Sequence, residues 1–243
     1  MTDIDVNRGT DECRWREWSE MGSWPTLDLS GWQERRVVVL AAHPDDEVLA
    51  VGGTLVLLAR LGIPVSFVWA TNGEASHPGS SAAVVPDLAL LRMKETRAAL
   101  ARLGVGGDAV WLGLPDGNLG ERYADLARYV RAVHRPGDLW IAPFRGDGHP
   151  DHEACGRAAA EVGDDLVEMP IWAWHWAGPG DSRIPWERAR TVALPADVME
   201  SKAAAIAEFR TQVESIGPDL ADGPVLPQRV VDHFLRDIEV VFT

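Results

Sequence analysis

Short unbroken apolar runs, each followed by a segment of helical length, set the architecture that this 243-residue chain can adopt. Val37-Val38-Val39-Leu40-Ala41-Ala42 has no polar residue to turn toward water, so as a strand it is buried on both faces. Val65 to Ala70 is a second run of this kind, and Ala109 to Leu112, Leu139 to Ala142 and Val192 to Leu194 read as further strands. Helices are expected from Glu47 to Leu61, stopped by Gly62 and Pro64, and from Pro86 to Leu103, closed by Gly104. Others follow at Arg122 to Val133, His152 to Val162 and Ala196 to Val213, the last broken before Gly217-Pro218. Strands alternating with helices in this way predict an α/β fold, a Rossmann-like three-layer sandwich with a mainly parallel sheet.

Residues 1–34 show no clear period and carry Trp15, Trp18, Trp24 and Trp32, which suits an N-terminal arm packed over a single domain of residues 35–243. A net charge of −14 repels polyphosphate, which argues against nucleic acid or an anionic membrane surface as partner. Two cysteines, Cys13 and Cys155, imply no disulfide framework and fit a reducing compartment. The first residues are polar and acidic, unlike a secretory signal, and no run approaches the ~18 apolar residues of a membrane span. A cytoplasmic protein is expected, with homo-oligomerisation left open. Leu166 to Trp176 reads as extended, with Trp172, Trp174 and Trp176 on one face and His175 on the other. Three indoles in a row suit either an aromatic cluster in the core or at a subunit contact, or a surface on which sugars and aglycones stack. His175 reads as a hydrogen-bonded core histidine.

Active sites of open α/β sheets collect at the carboxyl ends of strands, and two clusters fall there. His43-Pro44-Asp45-Asp46 follows the first strand; His149-Pro150-Asp151-His152 follows the strand ending near Pro143, after the loop Phe144 to Gly148. Two imidazoles and one carboxylate with an open coordination place form a catalytic rather than a structural zinc site. Pro44 keeps His43 extended, while Asp45 and Asp46 share a tight turn and point in different directions. One can therefore bind metal while the other faces substrate. A metal-bound water has a pKa near 7, and a carbonyl attacked by it becomes an oxyanion that the metal and an imidazolium stabilise. His149 is placed for that task, with Asp151 to orient or charge it. Asp46 taken alone reads equally well as a helix cap, but two such clusters after buried strands favour a metal site. A dinucleotide- or sugar-binding protein without catalysis is disfavoured, because no GxGxxG opens the first helix and carboxylates in that turn repel phosphate.

These residues resemble the PIG-L/LmbE-like family of zinc-dependent N-acetylglucosaminyl deacetylases, which carries AHPDDE after its first strand and HPDH late in the sheet. They stand here as Ala42-His43-Pro44-Asp45-Asp46-Glu47 and His149-Pro150-Asp151-His152. Smaller matches are Thr71-Asn72-Gly73-Glu74, Arg92-Met93-Lys94-Glu95, Leu112-Gly113-Leu114-Pro115-Asp116-Gly117 and Phe209-Arg210-Thr211-Gln212, so the similarity spans roughly residues 36–213. The resemblance implies one Zn2+ per chain held by His43, Asp46 and His152, although such a ligand set accepts other divalent metals. It implies Asp45 as general base on the metal's water, and His149, assisted by Asp151, as oxyanion stabiliser or proton donor to the leaving amine. Arg92 and Asp116 match positions that contact the sugar or its linkage group; spacing alone reads them as a surface ion pair and a turn aspartate. The implied reaction removes an N-acetyl group from an N-acetylglucosamine-type sugar in a small glycoconjugate. The same site would serve a metal amidase that removes a longer acyl chain from a glycosylated natural product. Two departures stand out: Asp147 occupies a position where some relatives carry a tyrosine that helps hold the oxyanion, and Thr211-Gln212 replaces Ser-Gln.

Overall fold

A computed structural model describes residues 4–80, 87–163 and 165–243. The strands are β1 (Val37–Ala41), β2 (Val65–Trp69), β3 (Asp108–Trp111), β4 (Leu139–Pro143), β5 (Leu166–Met169), β6 (Ala189–Ala193) and β7 (Ile238–Phe242). The helices are α1 (Glu12–Arg16), α2 (Asp46–Arg60), α3 (Leu88–Leu103), α4 (Tyr123–Val133), α5 (Pro150–Ala160), α6 (Ala173–Trp176), α7 (Ala196–Ile206), α8 (Arg210–Val213) and α9 (Gln228–Val231). One seven-stranded sheet runs in the order β3-β2-β1-β4-β5-β7-β6. Its first five members are parallel, whereas β7 is antiparallel to both β5 and β6.

The unbroken apolar character of β1 has the expected cause. Val37, Val39 and Ala41 enter a core that includes Val48, Leu55 and Leu58 of α2, Ala99 and Leu103 of α3, and Val198 and Ile206 of α7. Val38, Leu40 and Ala42 face the opposite way, onto Leu126 and Val130 of α4 and Ala154, Cys155 and Ala158 of α5. Helices therefore cover both faces, and the three-layer α/β expectation holds. The arm joins the first of these cores through Trp15, Met21, Leu29 and Trp32. It also shields the sheet edge: Leu27 donates to the Thr191 carbonyl at 2.8 Å, and Thr191 donates to that of Pro25 at 2.9 Å. Among the described residues, no helix is long and apolar enough to cross a membrane.

Several expectations need correction. The residues from Leu166 to Trp176 are not one strand: β5 ends at Met169, and Ala173–Trp176 is a helical turn. Pro170 cannot donate to a ladder, and the next three N–H groups, of Ile171, Trp172 and Ala173, all go to the carboxylate of Asp147 at 2.8–3.0 Å. The three indoles consequently part company. Trp174 is buried edge-on to Trp15, Trp176 donates to the Asp147 carbonyl, and Trp172 is half-buried. His175 is buried and meets the Asp5 carbonyl at 3.0 Å, a core role as read. The helix expected at His152 begins two residues earlier, with Pro150 in its first turn and His149 as its N-cap. Pro86, the expected start of α3, lies outside the described residues. The segment Ala196 to Val213 divides into α7 and α8, and β7 was not anticipated at all.

Strand β7 also repairs a break in α2. Val51 leaves helical geometry at φ −133° and ψ 18°, which interrupts the backbone ladder. The carboxylate of Glu239 takes the N–H groups of Gly53 and Thr54, both at 2.7 Å, and the Thr54 hydroxyl at 2.6 Å. Lys202, equally buried, neutralises it at 2.7 Å. Glu239→Ala strips the charge partner from Lys202 and leaves buried donors unpaired, so urea denaturation should show a loss of about 3–5 kcal/mol.

Candidate metal centre and active site

The strand order reverses between β1 and β4, and both His-Pro-Asp clusters lie at the carboxyl ends of these adjacent strands. The first turn delivers His43 and Asp46; the helix after β4 delivers His152 from its first turn. His43 Nδ1 stands 3.2 Å from His152 Nε2, His152 Nε2 stands 3.3 Å from Asp46 Oδ1, and His43 Nδ1 stands 3.8 Å from Asp46 Oδ2. Ligand atoms at about 2.0–2.2 Å from a tetrahedral ion are separated from one another by ~3.3–3.6 Å. The two imidazoles thus approach each other at close to ligand spacing, and Asp46 turns a different oxygen to each of them. Asp46 does not cap α2; its Oδ2 accepts from the N–H groups of Ala42 and His43, both at 2.9 Å, which locks the carboxylate beneath the site.

Each imidazole keeps its second nitrogen on a carboxylate, the usual support for a metal-binding histidine. His152 Nδ1 lies 2.7 Å from Asp147 Oδ2, and His43 Nε2 lies 3.0 Å from Asp116 and 3.5 Å from Asp151. Two triads, His43–His149–His152 and His43–Asp116–Asp151, bring potential ligand atoms within 4.8 Å of one another. The second of them uses the His43 nitrogen that faces away from His152. Its carboxylates are already occupied, Asp116 by the Ala75 N–H and Asp151 by those of Gly117 and Leu119. The centre we propose lies on the other nitrogen, His43 Nδ1, with His152 and Asp46.

Asp45 sits beside the metal ligands in a strained conformation, at φ 128°, where a side chain is rarely found. Arg92 pins it there, donating to Asp45 Oδ2 at 2.9 Å, to the Pro44 carbonyl at 2.6 Å and to the Gly73 carbonyl at 2.9 Å. Gly73 is required in that cradle: its φ is +69°, and a Cβ would stand 2.0 Å from the guanidinium. Burial pushes the Asp45 carboxyl up to about 7 against the opposing charge of Arg92, which suits a group that exchanges a proton near neutral pH. Glu47, fully buried behind it, is raised to about 8 by burial and by the nearby Asp45 charge.

His149 is lowered to about 3 by burial and by the positive charge of its histidine neighbours. Its Nδ1 accepts the Asp151 N–H at 3.2 Å, so the neutral ring carries its proton on Nε2. It meets the site as a neutral N–H donor rather than the imidazolium expected from sequence. The carboxylate of Asp151 is turned toward the 117–119 turn and His43, so its hydrogen bond to His149 comes from its backbone N–H. Arg92 and Asp116 both line the central cavity of about 550 Å3, together with His43, Asp45, Asp46 and His149. Asp116 does stand in a turn, as spacing alone suggests, but Arg92 is no surface ion pair: it is 2 % exposed and directs its Nη groups to Asp45 and the neighbouring turns. Asp147 is the functional candidate whose role sequence missed, since only its departure from tyrosine was visible.

A profile of the PIG-L family, described as GlcNAc-PI de-N-acetylase, matches residues 38–162. The chain belongs to the PIG-L family. A 1D-myo-inositol 2-acetamido-2-deoxy-alpha-D-glucopyranoside deacetylase 1 from Catenulispora acidiphila is 28% identical over 232 residues, 83% of this chain and 70% of that protein. A probable N-acetyl-alpha-D-glucosaminyl L-malate deacetylase 2 from Bacillus anthracis is 27% identical over 203 residues, 78% of this chain and 88% of the relative. Among solved structures, the N,N'-diacetylchitobiose deacetylase from Pyrococcus horikoshii superposes with a TM-score of 0.57 at 23% identity, covering 86% of this chain and 81% of that one. That likeness bears on the fold alone. In this PIG-L chain the family's two signatures supply all three atoms of the proposed centre.

Two measurements probe the centre. Asp147→Asn removes the carboxylate that aligns His152 and should weaken zinc binding by roughly 10–100-fold in a chelator competition. Carboxylates hold positive charge on the histidine pair, with His152 raised to about 9, and the 3.2 Å contact has room for one proton. A metal must displace that proton, so its affinity should rise about tenfold per pH unit through neutrality and level off near pH 9.

Proposed function

We propose that the chain is a zinc-dependent N-deacetylase of an N-acetylglucosamine-type sugar in a small glycoconjugate. The observation that carries this reading is the carboxylate of Asp45, held in a strained turn beside two imidazoles and a second carboxylate that converge at one point. Family membership and the names of the relatives supply the amide as the bond to be cut.

His43 Nδ1, His152 Nε2 and Asp46 would hold the ion. When bound, a divalent ion there polarises the amide carbonyl and lowers the pKa of a water. The residues of the chain do the rest. Asp45 receives the proton released as water adds to the acetyl carbonyl, and Arg92 keeps that carboxylate aimed while opposing its burial. His149, neutral with its proton on Nε2, donates a hydrogen bond where negative charge develops on the carbonyl oxygen. The proton held by Asp45 then passes to the departing nitrogen, the C–N bond breaks, and acetate and a free amino sugar leave. Asp116 aligns His43 and faces the cavity, where it can also accept a sugar hydroxyl.

Zinc-loaded protein should release primary amine and acetate in equal amounts from an N-acetylglucosaminide, and a chelator should abolish the release. Asp45→Ala should keep its zinc while kcat falls by about 10²–10⁴-fold, the usual contribution of a general base. His152→Ala should lose zinc by elemental analysis. Full activity in the first variant, or a full zinc complement in the second, defeats these roles.

A further inference from the structure

The central cavity has more room than one sugar needs, and its lining is uneven. Its volume of about 550 Å3 lies within the range of ~300–1,000 Å3 that drug-sized ligands occupy. Beyond the titratable groups, its apolar lining includes Ile4 and Val6, Ile171 and Trp172, and Val225 and Leu226, drawn from three separate segments. Ile4, Val6, Trp172 and Val225 are half-buried, whereas the metal-ligand candidates Asp46 and His152 are 2% and 0% exposed. Ile4, Val6, Trp172 and Val225 therefore stand nearer the opening than Asp45 and Asp46, which are 6% and 2% exposed. Hydrogen bonds fix this rim in place. Asp5 between Ile4 and Val6 is tied through its carbonyl to His175 of α6, Ile171 and Trp172 are held by Asp147, and Leu226 donates to the Gln212 carbonyl at 2.9 Å.

Charge is uneven too. Asp45, Asp46 and Asp116 line the cavity, and among the described lining residues Arg92 is the lysine or arginine. Its two Nη groups are committed to Asp45 and to two backbone carbonyls, which leaves only its buried Nε without a partner. Residues 1–3 and 81–86, outside the described part, contain neither lysine nor arginine. An anionic aglycone packed on the apolar rim finds no lysine or arginine there to offset its lost hydration, because the positive charge of the site belongs to its histidines and to the ion they would hold.

We propose, resting on the deacetylase reading above, that the group attached to the sugar is uncharged and apolar, an aryl or alkyl aglycone that packs on this rim. The amide carbonyl must reach the floor, where Asp45 and His149 stand. The sugar ring then lies between floor and opening, and its outward substituent meets Ile4, Val6, Trp172 and Val225. A malate-type aglycone, with two carboxylates, is the substrate this cavity excludes.

The test compares the zinc-loaded full chain on four substrates: methyl, phenyl and malyl N-acetylglucosaminides, and the phenyl glycoside carrying an N-octanoyl in place of the N-acetyl group. Primary-amine release is the readout. The phenyl glycoside should exceed the methyl by about tenfold or more in kcat/KM, and the malyl should fall below the methyl. Val6→Asp and Leu226→Asp should each lower the phenyl-to-methyl ratio at least threefold, a ratio that a fall in the amount of folded enzyme leaves unchanged. A malyl glycoside as good as the methyl, or a phenyl glycoside no better, overturns the assignment. So does faster cleavage of the N-octanoyl compound, which would give the rim to the acyl chain instead. Failure of every substrate overturns the deacetylase reading itself. In that case calorimetric titration of phenyl and malyl glycosides still reads the rim, and tighter binding of the malyl compound refutes its apolar role.

Discussion

The site exists because β1 and β4, far apart in sequence, are hydrogen-bonded neighbours in the sheet. A parallel sheet that winds outward in both directions from its centre leaves a crevice where the order reverses, since the connections leave toward opposite faces. Here β1 leads into α2 on one face, and β4 leads into α5 on the other. His43 and His152, separated by 109 residues, come to 3.2 Å at that divergence without either strand being distorted. At the crevice the strain falls on Asp45, and Arg92 from α3 holds it with bonds to the turns that follow β1 and β2.

Once those ends are adjacent, charge becomes the governing problem. Five aspartates, at 45, 46, 116, 147 and 151, are all buried or nearly so around three imidazoles. Such a density of carboxylate is tolerable only because most of it is neutralised by backbone N–H groups. Asp46 takes two, Asp151 two and Asp147 three, each from a loop or helix start that needs an acceptor in any case. Asp45 accepts none of these and has only Arg92, so its carboxyl sits closest to neutral pH. The division of labour between adjacent aspartates therefore follows from which one the backbone solvates. Asp46, with two N–H donors and two imidazoles, stays ionised as a ligand must; Asp45 can exchange a proton.

What could be read from the sequence follows the same physics. β1, β2 and β4 are buried on both faces, which forces continuous apolar runs and makes them visible. The two His-Pro-Asp clusters were legible because they follow such runs directly. Ile238 to Phe242 carries Glu239 in its interior, and its meaning depends on a break at Val51 and an amine at Lys202, neither of which is near in sequence. The tryptophan segment misled for a similar reason. Alternation from Trp172 to Trp176 has the period of a strand, but the carboxylate of Asp147 captures its first N–H groups and winds it into a turn. A local pattern lost to a tertiary hydrogen bond.

Asp147 links these observations. A tyrosine at this place would offer one hydroxyl to a developing oxyanion; an aspartate offers two oxygens, and both are consumed. One oxygen takes the N–H groups of Ile171 and Ala173, and the other takes that of Trp172 together with His152 Nδ1. The exchange trades a direct contact with the reacting carbonyl for rigidity. His152 becomes fixed to the same anchor that sets Ile171 and Trp172 on the cavity rim, so the floor and one wall of the cavity move as one body. In the proposed mechanism, stabilisation of the oxyanion would then fall to the ion and to His149, whose tautomer is set by the backbone of Asp151. An aspartate here contributes alignment in place of a hydroxyl, through the four nitrogens, three backbone and one imidazole, that converge on its carboxylate.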